Sequence, residues 1–105
     1  MTLDPEYIKL IERLKVHYEE HGVTVATQLL KVQEETGEVA AAFIGWLGLN
    51  PRKGVTHTSF NVAMELADVV ITAVLAISML GHDPEKIMTA QMVKTEDRLE
   101  EYESR

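Results

Sequence analysis

The sequence contains no cysteine. That excludes disulfides, a thiol nucleophile and thiolate metal sites, and it fits a reducing compartment. Proline occurs three times and glycine six times, so chain breakers are sparse and the segments between them are long. No segment alternates apolar and polar residues with period two, so no sheet is expected. No basic stripe is present either. Acids outnumber bases 17 to 10, a formal net charge of -7, and such a surface repels a nucleic-acid polymer. The opening stretch MTLDPEYIKL carries acids and no apolar core, unlike a signal peptide. The longest uncharged apolar run, Val69 to Leu80, falls short of the roughly 20 residues that cross a bilayer. A cytoplasmic protein with no membrane partner is the expectation.

The 105 residues suit one domain spanning 1–105. At this size much of the surface stays open to water, and self-association is a common supplement. Pro5, Pro51, Pro84 and the glycines divide the chain into four helical stretches. The first runs from about Asp4, as N-cap before Pro5, to His21, and Gly22 ends it. Ile8, Ile11, Leu14 and Tyr18 give it an apolar stripe. The second spans about Thr24 to Leu47, followed by the loop GLNPRKG at 48–54. The third runs from about Thr58 to Leu80 and the turn GHDP follows. The fourth begins with Asp83 capping Pro84 and continues into the charged tail. The fold class expected is all-α, a four-helix bundle.

Helix three is apolar in most directions, through Val62, Leu66, Val69, Val70, Ala73, Val74 and Ile77. Such a helix is a buried one. Three other short helices hardly enclose it, so a second copy is expected to help, as a homodimer or a dimer of dimers. Its polar exceptions form one line: Asn61, Glu65, Asp68 and Thr72 fall at i, i+4, i+7 and i+11. Carboxylates on a buried helix require a partner. An ion pair with a lysine or arginine is the ordinary solution.

The nearest candidates, however, are themselves acids. Helix two carries Glu34, Glu35 and Glu38, with Glu38 only about 40° around the axis from Glu34. Ala41, Ala42 and Gly45 continue that face, while Leu29, Val32, Val39, Phe43 and Leu47 form an apolar stripe read as core. Alone, three glutamates are usually a solvated face. Antiparallel packing across a short loop brings them opposite Glu65 and Asp68. Five carboxylates in one place require cations, and the single Lys31 on that face does not balance them. Hard divalent ions with oxygen ligands do, Mg²⁺ foremost. Because Mg²⁺ completes its shell with water and substrate phosphates, an anionic substrate is implied.

The pattern EExxE…ExxD, formed by Glu34, Glu35 and Glu38 in EETGE and by Glu65 and Asp68 in ELAD, resembles the MazG-like branch of the all-α nucleoside triphosphate pyrophosphohydrolases. That branch resembles the dimeric dUTPases and the phosphoribosyl-ATP pyrophosphohydrolases in fold. The resemblance covers about residues 24 to 100, and NPRKG at 50–54 has counterparts in bacterial members. It implies Mg²⁺-dependent cleavage of a nucleoside triphosphate to the monophosphate and pyrophosphate, with Mn²⁺ as a substitute ion. All five acids are then metal ligands, and Glu35 is the candidate general base or water-positioning residue, although the sequence does not separate ligand from base. Lys31, Asn61, Lys94 and Arg98 are candidate substrate contacts. Lys94 and Arg98 stand at i and i+4, able to grip phosphates or to pair with Asp97 and Glu101. Met92 stands near where many relatives carry an asparagine, a departure in the polar contacts of helix four.

Other residues have plainer readings. Arg52 and Lys53 suit a solvated turn, and Trp46 suits a core or an interface. His17, His21 and His82 lack metal-ligand spacing. The competing functional reading is a non-catalytic helical oligomer that binds a divalent metal or a partner protein. A carboxylate di-iron bundle uses Glu-x-x-His motifs, and no histidine follows any of the five acids at that spacing.

Overall fold

A computed structural model describes residues 4–105, and over these the chain is all-helical with no strand. Helix α1 covers Pro5–Glu20, α2 Val25–Leu47, α3 Ser59–Met79 and α4 Pro84–Glu103. Local chemistry sets each start. Asp4 accepts from the Glu6 N–H at 2.8 Å ahead of Pro5. Thr24 accepts from the Thr27 N–H at 3.2 Å. Thr58 and Asn61 form a reciprocal capping box at the head of α3. Asp83 accepts from the Glu85 N–H at 2.9 Å before Pro84 opens α4. Gly48 ends α2 with φ of 63°, a left-handed conformation that glycine adopts without a steric penalty.

The α2–α3 loop folds back on the end of α2. The Thr56 N–H donates to the Gly45 carbonyl at 2.9 Å. A Cβ at Gly45 would run into the His57 ring and the Thr56 hydroxyl. This close return turns the chain so that α2 and α3 run antiparallel along most of their length.

Helix α3 is the hub. Its long seam is with α2, while the α1 and α4 backbones each lie against α3 alone. The central cluster is Ile11, Val74 and Leu75, with Leu14, Tyr18 and Met79 packed around it. This core sits at the C-terminal half of α3. The radius of gyration is 17.1 Å, against about 13 Å for a compact domain of this length. The four helices are an open arrangement and not a closed bundle, and all of α4 beyond its first turns is solvated.

Two expectations about burial are corrected. Helix three is buried only from Val74 to Ala76, whereas Phe60, Met64, Leu66 and Val70 in its first half are exposed. The stripe on α2 read as core is core only in part, since Val32 and Val39 are half-buried. Leu29, Phe43 and Leu47 are exposed, and the residues buried on α2 are Gln28, Ala42 and Gly45. Gly45 takes the returning loop at Thr56 and His57, and the long seam with α3 includes the side of α2 that carries Gln28 and Glu35. Taken whole, α3 has the length and composition of a bilayer-spanning helix, which the uncharged run from Val69 alone does not. Its middle nevertheless carries Glu65 and Asp68, which hydrocarbon disfavours strongly.

Candidate functional site

The α2–α3 seam brings Glu35, Glu65 and Asp68 together. One carboxylate oxygen from each lies within 4.8 Å of the other two. Glu35 and Glu65 are half-buried, and Asp68 is exposed. The register follows from the antiparallel pairing: Glu35 faces Glu65, and two turns away Gln28 faces Thr72, where the Gln28 Nε2 donates to the Thr72 carbonyl at 3.2 Å. Asp68 lies one turn from Glu65 towards that bond.

No lysine, arginine or histidine forms an ion pair with these three acids among the described residues. The ordinary solution for carboxylates at a seam is therefore not used here. The electrostatic strain appears on Glu35, whose carboxyl is held above the ordinary glutamate value. Partial burial is the larger cause, followed by the negative charges of Asp68, Glu65, Glu34 and Glu38. Glu34 and Glu38 are exposed and lie outside the three-oxygen cluster. They act on it as flanking charge. The five acids thus separate into three that converge and two that border them.

A hollow of about 180 Å³ opens beside Glu35 and Asp68, under α1. Leu14, Tyr18, Ile71 and Leu75 form its apolar walls, and Gln28, Lys31 and Thr72 its polar ones. Lys31 does not reach across to the acids. Its ammonium sits over the Tyr18 ring, 4.8 Å from the centroid, a cation–π contact that holds positive charge at the mouth of the hollow. The Gln28 side chain is only 1% exposed, and its Oε1 has no hydrogen-bond partner.

The remaining candidates lie elsewhere. Asn61 Oδ1 accepts from the Thr58 N–H at 2.8 Å and from the Thr58 hydroxyl at 3.0 Å, so its first task is the cap of α3. Lys94 and Arg98 are exposed on α4, and no α4 residue lines the hollow. His17 and His21 are exposed at the end of α1, their rings tilted against each other at 4.3 Å, and neither lines the hollow. Sequence reasoning missed Gln28. The available signal was its position, seven residues before Glu35 and so on the same helix face.

Comparison with protein-family models, with curated proteins and with solved structures finds no match to this chain.

Proposed function

We propose that the chain is a Mg²⁺-dependent nucleoside triphosphate pyrophosphohydrolase, converting a (deoxy)nucleoside triphosphate and water to the monophosphate and pyrophosphate. The observation that carries this reading is the convergence of Glu35, Glu65 and Asp68 within 4.8 Å with no protein cation to balance them. The donor set fits the ion. All three side chains are hard oxygen ligands, which suits Mg²⁺ and, as a substitute, Mn²⁺.

When bound, such an ion supplies Lewis-acid activation and neutralises charge on the triphosphate and the leaving pyrophosphate. Glu65 and Asp68 on α3 and Glu35 on α2 would hold it. Glu34 and Glu38, on the border of the cluster, would be available to a second ion. Glu35 is the residue assigned to accept the proton of the attacking water, because its environment gives it a higher proton affinity than an ordinary carboxylate. Lys31, at the rim of the hollow, is the nearest candidate for a phosphate contact.

Self-association belongs to the same reading. Leu29, Phe43, Trp46, Leu66 and Val70 are exposed on the two helices that carry the site, and this much exposed apolar side chain on a small chain favours self-association. In a homodimer or a dimer of dimers, Lys94 and Arg98 reach a site through a neighbouring copy, and the resemblance to the MazG-like family agrees with that assembly. A cytoplasmic role in clearing the nucleotide pool is the corresponding physiological proposal. The test is hydrolysis of a nucleotide panel with Mg²⁺ and with chelator. Activity that persists in chelator contradicts the metal reading.

A further inference from the structure

We infer that the acid-free end of the α2–α3 pair receives the C-terminal half of α4 from a second copy of the chain. This rests on the self-association proposed above and names the element that the neighbour brings.

The first observation is a gap in the charge. The chain carries 17 acids, yet residues 39–64 contain none, and Arg52 and Lys53 are the only formal charges there. This stretch is the last turns of α2, the loop and the first turns of α3. Hydrogen bonds fold it into one end of the pair. The Gly54 N–H donates to the Asn50 carbonyl at 3.0 Å, the Arg52 N–H to Asn50 Oδ1 at 3.2 Å, and the Thr56 N–H to the Gly45 carbonyl at 2.9 Å. Arg52 and Lys53 are exposed, and neither enters an ion pair among the described residues. Phe43 meets Trp46 edge-on at 6.2 Å, and both are exposed, as are Leu47, Val55 and Phe60. Aromatic side chains and arginine are enriched at interfaces, and acids are depleted there.

The second observation is a helix of opposite charge with nothing against it. Residues 96–103 hold five acids and one base. Met92, Leu99 and Tyr102 fall at i, i+7 and i+10, one stripe of α4, and all three are exposed. Glu96 and Glu103 lie within about 40° of Met92 around the axis, so acids border the stripe. An amphipathic helix of this kind docks by its apolar face, and charge selects where. The middle of the α2–α3 pair, with Glu35, Glu65 and Asp68 together, repels it. The loop end, with Arg52 and Lys53, attracts it.

The occupant comes from a second copy because the chain's own α4 turns away. It starts at Pro84, beside the C-terminal end of α3, and is solvated beyond its first turns. The loop lies at the other end of α3, a helix of 21 residues and so about 30 Å long. Two copies related by a two-fold axis each give one α4 and receive one, and the contact closes at a dimer.

The absence of cysteine makes cross-linking a direct test on the full chain. Ser59→Cys, at the head of α3, is mixed with Thr95→Cys or with Ser104→Cys on α4, all exposed positions, and oxidised mildly. With at least one α4 position, the mixed disulfide should predominate over either homodisulfide. Arg52→Glu with Lys53→Glu should weaken self-association 10-fold or more in sedimentation equilibrium, and adding Glu96→Lys with Glu103→Lys should restore it. Homodisulfides alone, unchanged association of the Arg52→Glu, Lys53→Glu chain, or weakening that the α4 changes fail to rescue each overturn the inference. So does a chain carrying both cysteines that bridges only within itself. Association with homodisulfides alone leaves the self-association reading in place, whereas a chain monomeric at every concentration overturns both.

Discussion

The two halves of α3 differ in what they bury. From Val74 to Ala76 the helix is sealed against α1, and Leu75 is 1% exposed. From Phe60 to Val70 it packs on α2 along one edge only. That edge carries Glu65 and Asp68, and the rest of the half presents Phe60, Met64, Leu66 and Val70 to solvent. One half therefore holds the chain together. The other carries the acid cluster and leaves its apolar surface exposed. A single helix, apolar almost throughout, supplies a core, a carboxylate cluster and an exposed apolar surface by turning different faces to different surroundings.

Several changes break or sharpen that division. The largest effect is expected at Leu75→Ala in the sealed half, with a loss of about 2–5 kcal/mol of stability in chemical denaturation. Next is Glu35→Gln at the seam. It should lower triphosphate hydrolysis by more than about 100-fold, since even outer-shell metal partners are worth about 10–100-fold, while the far-UV circular dichroism spectrum stays unchanged. Glu38→Gln, on the border of the cluster, should lose less than Glu35→Gln in the same assay. Equal losses would mean that the border acids are ligands too. In the open half, Val70→Lys should remove self-association, read as loss of the concentration dependence of Tm and as a smaller sedimentation coefficient.

The smallest effect concerns pH. The folded chain holds the Glu35 proton more tightly than the unfolded chain does. Its contribution to stability is full below the ordinary glutamate value of 4.5 and is lost as pH rises through the raised folded value. Without metal, Tm should therefore fall slightly over that interval, and Glu35→Gln should flatten the fall. Saturating Mg²⁺ should reverse the slope, because the ion and the proton compete for the same oxygens.

Helix ends were legible because caps are local. Asp4–Pro5, Thr24, Thr58 with Asn61, and Asp83–Pro84 each announce a start within four residues. The meeting of Glu35 with Glu65 and Asp68 was legible too, since two acid stripes on consecutive antiparallel helices can face each other. The buried side of α2 was not. The apolar stripe opposite the glutamates suggested Leu29, Val32, Val39, Phe43 and Leu47 as its core, yet Leu29, Phe43 and Leu47 are exposed while Gln28, Ala42 and Gly45 are buried. The large apolar residues were left outside because one chain has nothing to set against them. The hollow was illegible for a related reason. It is bounded by α1, α2 and α3 together, and no single helix pattern reveals that Gln28 ends with one amide atom bonded and the other alone.

The most direct measurement is product analysis across ribo- and deoxyribonucleoside triphosphates, with Mg²⁺ and with excess chelator, beside the Glu35→Gln variant. Monophosphate and pyrophosphate in equal amounts, dependent on the ion and absent in the variant, is the expected result. A folded protein that yields neither product with any triphosphate, or an undiminished yield in chelator, would contradict the assignment of Glu35, Glu65 and Asp68 as a catalytic metal site.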